Sequence, residues 1–173
     1  DKIKPVLSCP ADQTITCTDD YSDLSIFGSP NLSDNCSAIL DSTHVNDLSD
    51  CGVGAITRTW TATDPSGNTS SCTQTITVSN DSPFDESLID WPDNYTTDVC
   101  GAPVDPEDLP GEFSEPGILG DGCGIIVYNY SDQTFNTAPP ACYKVLREWV
   151  VIDWCQYDPE NPDSEGRYSH IQT

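Results

Sequence analysis

The clearest alternation of apolar and polar positions in the chain runs through residues 56–78. Ile56, Arg58, Trp60 and Ala62 fall on one face, and Thr57, Thr59, Thr61 and Thr63 on the other. The period then resumes with Cys72, Gln74, Ile76 and Val78 against Thr73, Thr75 and Thr77. A strict period of two predicts half-buried β-strands. Between the runs, Asp64-Pro65-Ser66-Gly67-Asn68 supplies turn chemistry, since proline presets φ and glycine accepts positive φ. The pair therefore reads as an antiparallel hairpin. Upstream, Gln13, Ile15 and Cys17 alternate with Thr14 and Thr16. Short strands are also expected at residues 24–27 and within residues 38–45, with turn-rich corners at residues 19–23 and 31–36. Helical periodicity is absent throughout, and many short strands separated by turn signals predict an all-β sandwich.

The pattern then begins again. Trp91-Pro92 echoes Cys9-Pro10, Cys100 echoes Cys17, Cys123 echoes Cys36, and Cys142 echoes Cys51. Arg147, Trp149 and Asp153 echo Arg58, Trp60 and Asp64, while His170 and Gln172 echo Cys72 and Gln74. A period of this length with variable loops implies tandem domains rather than a solenoid. The expected architecture is two disulfide-stapled, immunoglobulin-like β-sandwiches, residues 1–80 and 81–173, with the first few residues a linker. The second copy reaches Thr173 before any counterpart of Ile76, Thr77 and Val78, so its last strand is expected to be truncated.

Charge changes the picture on the side of partners. Six basic residues face 29 acidic ones, a net charge of −23 that divides into −8 before residue 82 and −15 after it. Such a surface repels nucleic acid and anionic lipid, and no apolar run approaches the roughly 20 residues of a membrane helix. The carboxylates invite Ca²⁺ instead, an ion that takes several hard oxygen ligands. The candidates are Asp81, Asp85 and Glu86 at the junction, Asp19, Asp20 and Asp23 in the first acidic loop, and the acidic loop at residues 158–165. None follows EF-hand spacing.

Nine cysteines without CxxC pairs point to disulfides of an oxidising, extracytoplasmic compartment rather than zinc. The repeat suggests their pairing. Cys9 and Cys72 are replaced together in the second copy, by Trp91 and His170, as a bridged pair would be. Cys36 and Cys51 are retained together as Cys123 and Cys142. Cys100 and Cys155 correspond to Cys17 and Ser66. The expected bridges are therefore Cys9 with Cys72, Cys36 with Cys51, Cys123 with Cys142 and Cys100 with Cys155. Cys17 is then left as a buried thiol or an intermolecular link. Trp91 is expected to pack near His170 in place of the missing bridge. With only His44 and His170, no Ser-His-Asp or Cys-His arrangement supports catalysis, and no enzyme is expected. Arg58 and Arg147, each two residues before a Trp, read either as ligand anchors or as guanidiniums stacked on the indole, the second being expected.

Cys9-Pro10, Asp34-Asn35-Cys36 and the phrase from Trp60 through Asp64-Pro65-Ser66-Gly67-Asn68 to Cys72 resemble the hyalin-repeat (HYR-like) module. The resemblance covers residues 5–80 and, more loosely, 83–173. Its cysteine-rich form, with Arg58-Thr59-Trp60-Thr61-Ala62-Thr63-Asp64, is similar to repeats of giant Bacteroidota surface adhesins exported by type IX secretion, including gliding-motility adhesins. That resemblance implies an extracellular, outer-membrane-associated spacer whose partners are neighbouring repeats of its own chain. The alternatives are a module binding a surface glycan or protein target, for which Tyr128, Tyr130, Trp154 and Tyr157 would form an aromatic platform, and a non-catalytic accessory module of a secreted enzyme.

Overall fold

A computed structural model of the chain describes residues 2–137, 142–161 and 164–173. It divides into two compact units, Asp1–Asp81 and Ser82–Thr173.

In the first unit the alternating runs become β5 (Gly54–Thr63) and β6 (Thr69–Ser79). They pair antiparallel with Trp60 opposite Cys72 and Ile56 opposite Ile76. The turn closes with Asp64 N–H donating to the Asn68 carbonyl at 3.0 Å and Gly67 N–H to the Asp64 carbonyl at 3.1 Å. Gly67 sits there at φ 83°, where an L side chain is strained. Further strands are β1 (Val6–Ser8), β2 (Gln13–Thr16), β3 (Asn31–Ser33) and β4 (Ile39–Leu48). One sheet has the order β2-β6-β5-β4 and the other is the β1-β3 pair. β2 runs parallel to the end of β6, Gln13 beside Ile76 and Ile15 beside Val78. The residues that alternate inward make the core: Phe27, Ile56, Ile76 and Val78, with Ile15, Cys17, Tyr21, Leu24 and Leu48 around them.

Two sequence expectations change here. Leu24–Phe27 is a 3-10 turn, not a strand: Asp23 caps it by accepting from Ser25 N–H, and the turn drops Phe27 into the core. The strand expected within residues 38–45 is ten residues long and mostly exposed. It is held by its ladder to β5 rather than by burial.

The second unit repeats the plan with fewer strands. β7 (Ile89–Asp90) pairs with β8 (Gly117–Ile118), and β9 (Ile126–Asn136), β10 (Tyr143–Asp153) and β11 (Arg167–Gln172) form a sheet of order β11-β10-β9. One helical turn, α1 (Gly111–Ser114), stands where the first unit has its 3-10 turn. β10 and β11 place Trp149 opposite His170 and Arg147 opposite Gln172, the register of Trp60 with Cys72 and Arg58 with Gln74. The core is Phe84, Ile89 and Val151, with Leu88, Trp91, Ile118, Ile126 and Tyr168 packed against it. The protein is thus all-β: two sandwich units, each pinned by disulfides.

Candidate functional site

The repeat is carried by side chains as much as by strands. Gln74 is fully buried, and its Nε2 donates to the carbonyls of Ala11 at 2.8 Å and Phe27 at 2.9 Å. Gln172 Nε2 donates to Asp93 and Phe113 carbonyls, both at 2.7 Å. Each amide therefore ties the central hairpin to two loops through their backbone carbonyls. The amide oxygens differ in their donors. Gln74 Oε1 takes Arg58 Nη1 at 2.8 Å, and Gln172 Oε1 takes the Trp149 indole N–H at 3.0 Å. The next pair of positions repeats too: Thr75 N–H donates to Asp12 and Thr173 N–H to Asn94, each at 2.7 Å.

Arg58 lies 4.4 Å above the Trp60 ring. Arg147 lies 4.5 Å from Tyr130 and 5.7 Å from Trp149, pairs with Asp132 through two contacts of 2.8 Å, and donates to the Val104 carbonyl. Arg147 is buried, its charge matched by Asp132 and its flat face by two rings. Both arginines stack on aromatic rings as the sequence reading expected. Asp64 and Asp153 are likewise buried at the hairpin ends. Asp64 accepts from Ser66 N–H, Asn68 N–H and Asn68 Nδ2, and Asp153 from Ile125 N–H, Cys155 N–H and Gln156 Nε2. The Asn68 side chain foremost holds the Asp64 carboxyl below its ordinary pKa.

Cys9 is bridged to Cys72, with their Cα atoms 5.8 Å apart. At the equivalent place in the second unit Trp91 stacks on His170, centroids 5.3 Å apart and planes 18° off parallel. A flat ring contact at the equivalent positions replaces the covalent one. The other pairings require correction. Cys100 joins Cys142, 5.7 Å between Cα atoms, and so is not the partner of Cys155, nor Cys142 that of Cys123. Cys17 is disulfide-bonded, not a thiol, as are Cys51, Cys123 and Cys155. Cys36 lies outside the bridges, exposed, and so is not joined to Cys51. Since Cys17 and Cys51 are the repeat equivalents of Cys100 and Cys142, the duplication assigns Cys17 to Cys51 and leaves Cys123 with Cys155, whose Sγ lies 3.5 Å from the Cys123 carbonyl oxygen. The half-lost pair is therefore Cys36 and Ser66. Cys36 and Cys51 thus belong to different pairs, as Cys123 and Cys142 do.

Five of the six carboxylates expected to bind Ca²⁺ accept local hydrogen bonds. Asp19 accepts from Thr16 N–H, Asp20 from Ser22 N–H, Asp23 from Ser25 N–H, Asp81 from the Ser79 hydroxyl and Asp85 from Ser87 N–H. The Ser22 amide lowers the pKa of Asp20, and the Ser25 and Ser87 side chains foremost lower those of Asp23 and Asp85. Asp81 belongs to the first unit, Asp85 and Glu86 to the second. Among the described residues no three His, Cys, Asp or Glu side chains converge on a cation position. In the acidic loop at residues 158–165, Pro162 and Asp163 lie outside the described residues.

The four aromatic candidates fall into two groups. Tyr128 and Tyr130 pack against Trp149 from β9, and Trp154 meets Tyr157 edge-on at 5.9 Å with about half its surface exposed. Glu115 accepts from the Tyr128 hydroxyl and raises its pKa.

Residues 5–78 match the model of the HYR-like domain with 4 cysteines. That span holds five cysteines, four of them disulfide-bonded. The chain matches no curated protein. The HYR-like domain is a non-catalytic, repeat-type module of extracellular proteins, which agrees with a chain whose bridges need an oxidising compartment. No helix among the described residues is long and apolar enough to cross a membrane.

Proposed function

We propose that the two units are spacer repeats of a long extracellular adhesin fibre, transmitting load from an anchored end to an adhesive one. The observation that carries this is the duplication of supporting contacts. The Gln74 and Gln172 amide clamps, the stacked arginines and the staple at residues 9/72 and 91/170 all recur. Acidic surface keeps neighbouring repeats from collapsing on one another. On the phrase at residues 58–64 the reading extends to a Bacteroidota surface adhesin exported by type IX secretion and serving attachment or gliding.

Pulling the chain between its ends tests the mechanical role. The Cys9 to Cys72 bridge spans 63 residues, so under oxidising conditions roughly 220 Å of contour stays hidden, at about 3.5 Å per residue, and appears only with reductant. A first unit that extends fully in both conditions, or that yields at forces no higher than an unfolded chain, would refute the load-bearing role. A second reading, glycan binding, is favoured by the exposed Trp154 and Tyr157 pair. Retention on a glycan array that is lost in Trp154→Ala would support it.

A further inference from the structure

Arg58 and Arg147 hold equivalent places in the two units, but the second is closed off and the first is open. In the second unit β9 sets Tyr130 opposite Trp149 and Asp132 opposite Arg147. The Asp132 carboxylate accepts from Arg147 Nε and Nη2 at 2.8 Å each, and the Tyr130 ring lies 4.5 Å from the guanidinium. Arg147 is left 3% exposed. In the first unit β4 sets Ser42 opposite Trp60 and His44 opposite Arg58. Serine is too short to cover a guanidinium as a tyrosine ring does, and an imidazole brings no carboxylate. Arg58 is accordingly half-buried, and among the described residues its hydrogen-bond acceptor is Gln74 Oε1, reached from Nη1. The Asp23 carboxylate acts on Arg58 through space without forming an ion pair with it. Over Arg58 lies a cleft of about 460 Å³, between β4 and the loop at residues 21–25. Ser22, Ser25, Ser42, His44 and Asp23 line it together with the arginine. That volume falls within the roughly 300–1,000 Å³ of small-ligand sites.

We propose that this cleft binds one uronate residue of an acidic glycan, with the sugar carboxylate bridging Arg58 as Asp132 bridges Arg147, and the pyranose ring taking the space that the Tyr130 ring fills in the second unit. The open Nε and Nη2 edge of a guanidinium matches a carboxylate, which accepts two parallel N–H bonds in one plane. Burial against Trp60 has already stripped part of the water from Arg58, lowering its pKa, so a ligand meets a partly desolvated cation. The rest of the cleft selects among carboxylates. Asp23 repels a second negative group, which disfavours dicarboxylates and phosphates, yet it can accept from a hydroxyl. The serine hydroxyls both donate and accept. One carboxylate and several hydroxyls on a compact ring meet all of these demands, and a uronate carries that set. The site lies in the first unit, apart from Trp154 and Tyr157, and the inference does not rest on the spacer reading, because a spacer has no need of an open arginine.

The test is an NMR titration of the full chain with methyl glucuronide, methyl glucoside and acetate. The glucuronide should shift the Arg58 Nε–H signal and the amides of residues 42–44 in a saturable way, at least tenfold more tightly than either of the others. Signals of Arg147 and residues 130–132 should not move. Ser42→Tyr combined with His44→Asp rebuilds over Arg58 the cover found over Arg147. It should abolish the shifts while leaving the first unit's melting temperature unchanged or raised, which separates lost binding from lost fold. Arg58→Lys keeps the charge but not the planar fork, and should weaken the glucuronide at least tenfold. Equal affinity for glucuronide and glucoside overturns the proposal, since the carboxylate would then contribute nothing. Acetate binding as tightly as the glucuronide reduces the site to an adventitious ion only and overturns it too. Undiminished binding in the double variant, or no saturable shift at all, has the same consequence.

Discussion

Replacing Cys9 and Cys72 together by alanine removes a bridge spanning 63 residues while leaving β5 and β6 otherwise intact. Closing a loop of that size in the unfolded chain contributes about 4 kcal/mol at 25 °C on the chain-entropy relation. The bridge from Cys17, nested inside, shortens the effective loop to roughly 30 residues and lowers the figure by less than about 1 kcal/mol. The unit Asp1–Asp81 is of a size whose whole stability amounts to about 4–12 kcal/mol. The loss is therefore a third of the total or more. With an unfolding entropy of roughly 170 cal/mol/K for such a domain, Tm should fall by about 20 °C. Calorimetry of the full chain, with thiols counted by mass spectrometry to confirm that the other bridges survive, reads this directly. The second unit is an internal control, because its equivalent contact is the Trp91 and His170 stack and its transition should stay in place. A shift of the first transition below about 5 °C would show that the native strands, not the constrained unfolded chain, supply the stability at this point.

Gln74→Leu should cost about 1–3 kcal/mol in urea melts, since it removes the hydrogen bonds to the Ala11 and Phe27 carbonyls and leaves Phe27 with only the 3.3 Å contact from Gln13 Nε2. Gln172→Leu should cost a similar amount in the second unit, and a loss under 1 kcal/mol in both would refute the clamp. Asp20, Asp23, Asp64 and Asp85 all have folded-state pKa values below the ordinary carboxylate value. Their contribution is complete above about pH 4 and lost as pH falls through the folded values. The urea midpoint should hold steady from pH 7 to 5 and drop below 4, with a shallower drop in Asp64→Asn. Gly54→Ala should destabilise the first unit by more than 1 kcal/mol, because Gly54 has φ 147° and a Cβ would meet the Asp47 carbonyl oxygen. Chelation with EDTA should leave Tm within about 1 °C, as the acidic loops spend their carboxylates on neighbouring backbone and hydroxyl groups. A larger fall would return calcium to those loops.

The sequence by itself determined the all-β class, the central hairpin and its inward face, and the correspondence between the halves down to Trp60 with Trp149 and Gln74 with Gln172. These are local or periodic properties: alternation sets which residues face inward, turn chemistry sets where the chain reverses, and the internal repeat compares one copy with the other. The Cys9 to Cys72 bridge was legible for the same reason, because both partners change together between copies. What only the tertiary structure decided depends on distances between segments far apart in sequence. Whether Cys100 meets Cys142 or Cys155 turns on which strand end comes within the 6 Å or so that a disulfide can span, and periodicity carries no such information. The calcium expectation for the acidic loops came from composition, which counts carboxylates; that Asp19, Asp20, Asp23, Asp81 and Asp85 each accept a hydrogen bond from a group two or three residues away is a matter of local geometry.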